Sequence, residues 1–182
     1  MRIRRLKEEF PWTTEQTKSR SPGLHLSDII RDMDVTLLKT KDREIDDDTR
    51  MLFEEGYRWE RVLSLVLLEN MPVRLGEVEL DGIVGSPDGL AGDTVEEYKC
   101  TSMSMDKPPS DNWKWMMQVK GYCKMLGMRR CVFRIVHRMY VPVYKVWELT
   151  FTQAELDENW ESVLNHAKVM KERGIVPMGC II

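Results

Sequence analysis

The chain has 182 residues, 42% of them hydrophobic and 31% charged, with a formal net charge of -3. That length suits one domain with a core of its own, and that balance excludes a fibrous or wholly disordered chain. The small net charge excludes no class of partner, because the field a partner meets is set locally.

Met1 to Phe10 carries Arg2, Arg4, Arg5 and Lys7, but no apolar run follows and no later stretch is long enough to span a bilayer. A soluble, cytoplasmic protein with no membrane partner is expected. Residues 1–24 read as an N-terminal arm and 25–182 as a single domain. After the Ser21-Pro22-Gly23 break, Ser27-Asp28 opens a short amphipathic helix to about Leu38, with Leu26, Ile29, Ile30, Met33 and Leu37 turned inward. The charged run Lys39 to Asp48 is a loop.

A long helix from about Asp48 to Asn70 follows, its acidic start suited to a helix N-terminus. Phe53, Gly56, Glu60, Leu63 and Leu67 share one stripe at three- and four-residue spacing. Phase leaves two arrangements open. Either Glu60 faces inward, where it needs a cation, a metal or a donor, or Trp59 does and Glu60 pairs with Arg58 or Arg61 at the surface.

Gly76 to Val84 alternates and is expected as one strand; Ser86-Pro87-Asp88-Gly89 and Gly92-Asp93 are turns, and Thr94 to Thr101 is the returning antiparallel strand. Ser102 to Ser110, with Met103, Met105, Pro108 and Pro109, is a loop. A helix from about Asp111 to Leu126 ends at Gly127 and places Gln118 and Tyr122 one turn apart, with Trp115 leading into the same row. Strands Cys131 to Arg138 and Val143 to Phe151 come next. Thr152 to Glu155 has the form of a capping box and starts a last helix to about Arg173. This order implies an α/β fold with one mixed sheet. Neither G-x-G-x-x-G after the first strand nor G-x-x-x-x-G-K-[ST] occurs, so nucleotide-binding fingerprints are missing.

Side chains alternate across a strand, so Glu97 and Lys99 leave from one face, roughly 6 to 7 Å apart along the chain. If the turn folds the second strand back on the first, Asp88 arrives beside them. Asp88 and Glu97, with Glu60 as a third candidate, fit the oxygen ligands of a hard divalent cation such as Mg²⁺. Lys99 is superfluous for holding a metal but suits orienting or deprotonating a water, or meeting charge on a phosphoryl oxygen. Together they suit phosphodiester hydrolysis. Taken singly, each has a plainer reading: an Asp in Pro-Asp-Gly is turn chemistry, and Glu-x-Lys on a strand is a surface pair worth under about 1 kcal/mol. Cys100, Cys123, Cys131 and Cys180 are scattered with no close pair, so neither an iron-sulfur cluster nor a zinc site is expected. Arg129, Arg130, Arg134 and Arg138 form a basic cluster whose plainer reading is a solvated surface.

Gly56-x-x-x-Glu60, Ser86-Pro87-Asp88-Gly89, Glu97-Tyr98-Lys99 and Gln118-x-x-x-Tyr122, in this order over about residues 26–150, resemble the PD-(D/E)XK nuclease superfamily, in its RecB-like and phage-exonuclease branch. The Asp and Glu-x-Lys core is degenerate, and the added Gln-x-x-x-Tyr makes the resemblance fairly specific. It implies a restriction-endonuclease-like core, a central mixed sheet of four to five strands flanked by helices, and metal-dependent cleavage of DNA. Asp88 and Glu97 would ligate Mg²⁺ or Mn²⁺, the Tyr98 carbonyl would add a ligand, and Lys99 would activate water. Glu60 would take the helix position that many RecB-like members fill with His. Gln118 and Tyr122 would hold DNA or brace the catalytic strand.

The leading expectation is a Mg²⁺-dependent deoxyribonuclease, an exonuclease of DNA recombination, repair or phage replication. Two alternatives stand beside it: a catalytically silent DNA-binding or regulatory module of the same fold, and a metal-dependent nucleotide phosphohydrolase. A homo-oligomeric ring would suit processive digestion, though no residue requires it. Trp113, Trp115 and the Met103 to Met105 loop are candidates to stack on unpaired bases, or else core residues.

Overall fold

The computed structural model describes residues 21–37, 47–67, 76–102 and 107–175. The basic arm, the charged run before the long helix as far as Asp46, the expected end of that helix beyond Leu67, the Met103 to Met105 loop and Cys180 lie outside them. Four helices and seven strands are described: β1 (Leu24–His25), α1 (Leu26–Leu37), α2 (Asp47–Leu67), β2 (Val78–Leu80), β3 (Ile83–Gly85), β4 (Gly89–Ala91), β5 (Thr94–Thr101), α3 (Trp113–Leu126), β6 (Arg130–His137), β7 (Val143–Thr150) and α4 (Gln153–Glu172). A short 3-10 turn, Pro109–Asp111, leads into α3.

The expected α/β class is what forms, but the strands divide into two mixed sheets. One has the order β1-β3-β2 and the other β4-β5-β6-β7. In the larger sheet β5 and β6 run parallel over their full length, and β4 and β7 flank them antiparallel. The segment expected as one strand, Gly76 to Val84, is instead the β2–β3 hairpin, with Leu80 paired to Ile83. Asp81 and Gly82 make its two-residue turn with φ of 52° and 74°. Two successive positive φ values are the geometry of the turn whose twist matches a hairpin, and Asp-Gly supplies it at low cost. The reversal into β5 is made at Gly92-Asp93, between the paired Ala91 and Thr94, and not at Pro87-Asp88-Gly89.

Alternation along β5 and β6 builds two different faces. Val95, Cys131, Phe133 and Ile135 point into the main core with Leu26, Ile29, Val119, Leu156, Trp160 and Val163 from α1, α3 and α4. On the other face Tyr98 and Val136 meet Leu63 of α2, with Trp59 and Cys100 packed beside them. Both faces of the strand pair are thus covered, as a parallel pair requires. Phe53, expected on the inward stripe of α2, is 52% exposed, since among the described residues this face offers α2 only the narrow patch beneath Trp59 and Leu63. Trp115 lies 5.5 Å from Phe133 between ring centroids, so it packs on the core and is not free to stack on a base.

Local signals set the helix ends. Asn112 caps α3 by accepting from the Trp115 amide, and α3 stops at Gly127. Thr152 and Glu155 form the reciprocal capping box of α4. Among the described residues, no helix is long and apolar enough to cross a membrane.

Candidate active site

β4 pairs with β5 only as far as Gly89 opposite Glu96, so beyond Glu96 that edge of β5 has no β4 neighbour. Asp88, the residue before β4, fills the gap: its Oδ2 accepts the Tyr98 amide at 2.7 Å. Amide and carbonyl of one residue leave an extended strand on the same edge, so the Tyr98 carbonyl also faces this gap.

Glu97 and Lys99 leave β5 on the main-core side, and Lys99 Nζ contacts Glu97 Oε1 directly. Glu97 is 1% exposed and Lys99 22%. The second Glu97 oxygen, Oε2, is enclosed and has no hydrogen-bond partner among the described residues. An enclosed carboxylate oxygen left unsatisfied is costly, and a proton, a donor or a cation would satisfy it.

The electrostatics describe the same crowding. Burial, then the charges of Glu97 and Glu60, push the Asp88 carboxyl well above its ordinary range against the pull of Lys99 and the Tyr98 amide. Burial also raises Glu97, with Glu60 adding to it and Lys99 opposing. For Lys99 burial acts downward, but Glu97, Asp88 and Glu60 outweigh it and hold the side chain as an ammonium. Glu60 thus acts on all three from α2, on the opposite face of the sheet. Trp59 packs in the second core, so the two arrangements left open by helical phase are both partly realised. Among the described residues no three acidic, imidazole or thiol side chains converge as a metal cage. The pair Asp88 and Glu97, with the Tyr98 carbonyl, matches the one or two protein carboxylates that Mg²⁺ usually takes.

Gln118 and Tyr122 are joined, Gln118 Nε2 donating to the Tyr122 hydroxyl at 2.9 Å. Tyr122 is 3% exposed, and its hydroxyl also accepts from the Ser86 backbone amide. Burial, and then the Glu97 charge, push the phenol far above its ordinary value, so it remains neutral. The pair therefore grips the β3–β4 connection two residues before Asp88. Gly85 makes the approach possible: a Cβ there would lie 2.5 Å from Met125 Sδ and 3.0 Å from the Tyr122 ring. Helical spacing showed the Gln118–Tyr122 pair, but the Ser86 contact is tertiary and left no mark in the sequence.

Other candidates are structural. Arg130 and Arg134 on β6, and Arg138 just past its end, each meet an acid: Glu148 at 2.6 Å, Glu96 at 2.6 Å, and Glu55, respectively. They are no free basic patch. Buried Glu96 and its two-pronged bond from Arg134 were not anticipated from sequence. Cys123 and Cys131 are core residues, and burial pushes the Cys123 thiol up to about 12.

No protein-family model matches the chain, and no curated protein matches it in sequence. Solved structures do match in fold. LHK-Exo in complex with dAMP superposes with a TM-score of 0.58 at 16% identity, covering 83% of this chain and 89% of that one. Another structure of LHK-Exo, an alkaline exonuclease from Laribacter hongkongensis, gives 0.51 at 18% identity, with 89% and 98% covered. A phage-related exonuclease from Haemophilus somnus 129PT gives 0.52 at 12% identity, with 81% and 83% covered. The chain shares the fold of these structures.

Proposed function

We propose that this protein is a metal-dependent deoxyribonuclease that hydrolyses DNA phosphodiester bonds from an end. The observation that carries the reading is the convergence of Asp88, Glu97 and Lys99 at one uncovered strand edge, with Glu97 Oε2 enclosed and unsatisfied. The likeness in fold to exonuclease structures supports it.

Asp88, Glu97 and the Tyr98 carbonyl would hold Mg²⁺ or Mn²⁺, and Glu60 would add to the anionic surround. When bound, such a cation supplies Lewis-acid polarisation of the phosphate and a water of lowered pKa. Lys99, already an ammonium, orients the attacking water and meets the charge that develops on the phosphoryl oxygens. Tyr122 and Gln118 hold the Ser86 to Asp88 connection in place, so they act through Asp88 and do not touch DNA.

The deciding experiment incubates the purified protein with linear duplex and with covalently closed DNA of the same sequence, in Mg²⁺, in Mn²⁺ and in chelator. The expected result is metal-dependent loss of the linear form alone, abolished in Asp88→Asn. Equal cutting of both forms would remove the requirement for an end. Binding without cleavage in either metal would remove the chemistry.

A further inference from the structure

The connection between β6 and β7 is residues 138–142, closed by the pairing of His137 with Val143. Such connections are built mostly from Gly, Pro, Asn, Asp and Ser. Here Met139-Tyr140-Val141-Pro142 is a run of apolar and aromatic residues, and all four are exposed. Met139 is 48% exposed, Val141 67% and Tyr140 fully, at 104%. No residue of the connection takes a positive φ, so its backbone would accept polar side chains as readily. An exposed run of this kind invites aggregation unless something covers it in use.

Its place in the fold says what that is. β5 and β6 run parallel and in register, Lys99 beside Ile135 and Thr101 beside His137, and the Arg138 amide donates to the Thr101 carbonyl at 2.7 Å. The run therefore projects from the carboxyl end of the strand pair that carries Glu97 and Lys99. Tyr140 is five residues beyond Ile135, so it lies at most roughly 17 Å past the level of Lys99 along the strand direction, at about 3.3 Å per residue. About five stacked nucleotides, at roughly 3.4 Å each, cover that length. A second protein chain fits less well, because the four side chains offer well under the roughly 800 Å² that each partner gives to a standard interface.

We infer that Tyr140 is a base-stacking residue: its exposed ring receives one unpaired base of the strand whose phosphate lies at Glu97 and Lys99, a few nucleotides away. This rests on the nuclease reading above. Every base has a π face, so one ring at a fixed distance from the reactive pair holds the strand whatever its sequence. The contact needs no added cation, and the apolar neighbours Met139 and Val141 shield it from water.

The test measures, by fluorescence anisotropy in Ca²⁺, the binding of a single-stranded oligonucleotide to wild type, Tyr140→Phe, Tyr140→Leu and Tyr140→Ala. Phenylalanine should keep Kd within about twofold, whereas leucine and alanine should weaken it about fivefold to a hundredfold, the range for one stacked base. On a strand of the same length made entirely abasic, wild type and Tyr140→Ala should bind alike, a coupling between ring and base that a merely structural role would not give. The thermal midpoint of Tyr140→Ala should stay within about 2 °C of wild type, and its sedimentation should match. Wild-type Kd in Tyr140→Ala overturns the inference while leaving the nuclease reading intact. So does leucine binding as well as phenylalanine, since apolar burial alone would then hold the strand. An alanine variant that melts several degrees lower, or sediments as a smaller species, also overturns it, because the tip would then pack on this chain or on a second copy. If wild type binds the oligonucleotide yet cuts no DNA in Mg²⁺ or Mn²⁺, the chemistry fails alone and Kd still measures Tyr140. If wild type neither binds nor cuts, both fail.

Discussion

Asp88 Oδ2 takes the Tyr98 amide at 2.7 Å, across the gap left where β4 stops. A carboxylate placed there does the work of the missing strand for one hydrogen bond and stays near enough to Glu97 and Lys99 to feel both charges. The same contact fixes register and assembles the charged cluster, which ties fold and chemistry to one side chain.

Replacing Asp88 by Asn keeps an oxygen to accept the Tyr98 amide but removes the charge. Cleavage of DNA should vanish while circular dichroism and much of the DNA affinity persist, because most phosphate contacts lie elsewhere. Lys99→Ala should behave alike in activity. Loss of fold in both variants would mean that the cluster is structural.

The pH dependence of stability gives an independent measure of the same crowding. Asp88 and Glu97 both have folded-state pKa values above their ordinary ones. A raised folded value means that the folded state binds the proton more tightly. Its contribution is full below the ordinary value of about 4 and is lost as pH rises through the folded value. Without metal, wild type should therefore fall behind Asp88→Asn as pH rises above about 4. The two midpoints should be level at the acidic end and draw apart as pH rises, with the variant the more stable. A variant less stable than wild type at pH 7 would contradict the assignment.

The sequence made some of this legible and hid the rest for physical reasons. β5 coincides with its expected range, because a bounded β-rich run has little freedom, and the caps at Asn112 and Thr152 are local in cause. The β2–β3 hairpin was lost because Val78, Leu80 and Gly82 keep alternating through the turn. The Asp81-Gly82 dipeptide was the better signal there. Phe53 was misplaced because helical period shows an apolar stripe but not how wide a surface awaits it. Asp88, Glu97 and Lys99 could be grouped from turn chemistry and strand alternation. The grip of Tyr122 on Ser86 joins α3 to a segment 36 positions earlier in the chain, and no local pattern reports such a contact.

Tyr122→Phe tests that grip. The Ser86 amide loses its acceptor and Gln118 its partner, in a place closed to solvent, which costs about 1–3 kcal/mol. Because the loosened connection carries Asp88, kcat should fall about tenfold with KM for DNA nearly unchanged. Gln118→Ala should be milder, and the double variant no worse than Tyr122→Phe, since the two share one network. A rise in KM with unchanged kcat would instead make Tyr122 a DNA contact.

The hairpin turn provides a prediction about stability alone. Trp160 Nε1 donates to Asp81 Oδ2 at 2.8 Å, fastening the β2–β3 turn to α4, and Asp81 sits at φ 52°. Asp81→Ala should cost the hydrogen bond and add left-handed strain, each about 1 kcal/mol. Asp81→Gly should lose chiefly the bond and fall between wild type and Asp81→Ala, as read from urea midpoints at constant m. Equal losses in both variants would show that the backbone at Asp81 is unstrained.

Metal loading should show itself without turnover. A cation that binds only the folded state stabilises by RT ln(1 + [L]/Kd), about 2.7 kcal/mol at one hundred times Kd. Mn²⁺ should therefore raise the wild-type midpoint, and chelator should reverse it. The rise should shrink sharply in Asp88→Asn and Glu97→Gln, the two proposed carboxylate ligands, but only in part in Glu60→Gln, which joins no three-carboxylate cage among the described residues. Should Glu60→Gln abolish the shift as fully as Glu97→Gln does, the cation is held from α2 as well as from β5. A shift that survives in all three variants would put the metal elsewhere in the molecule, and with it the hydrolytic centre.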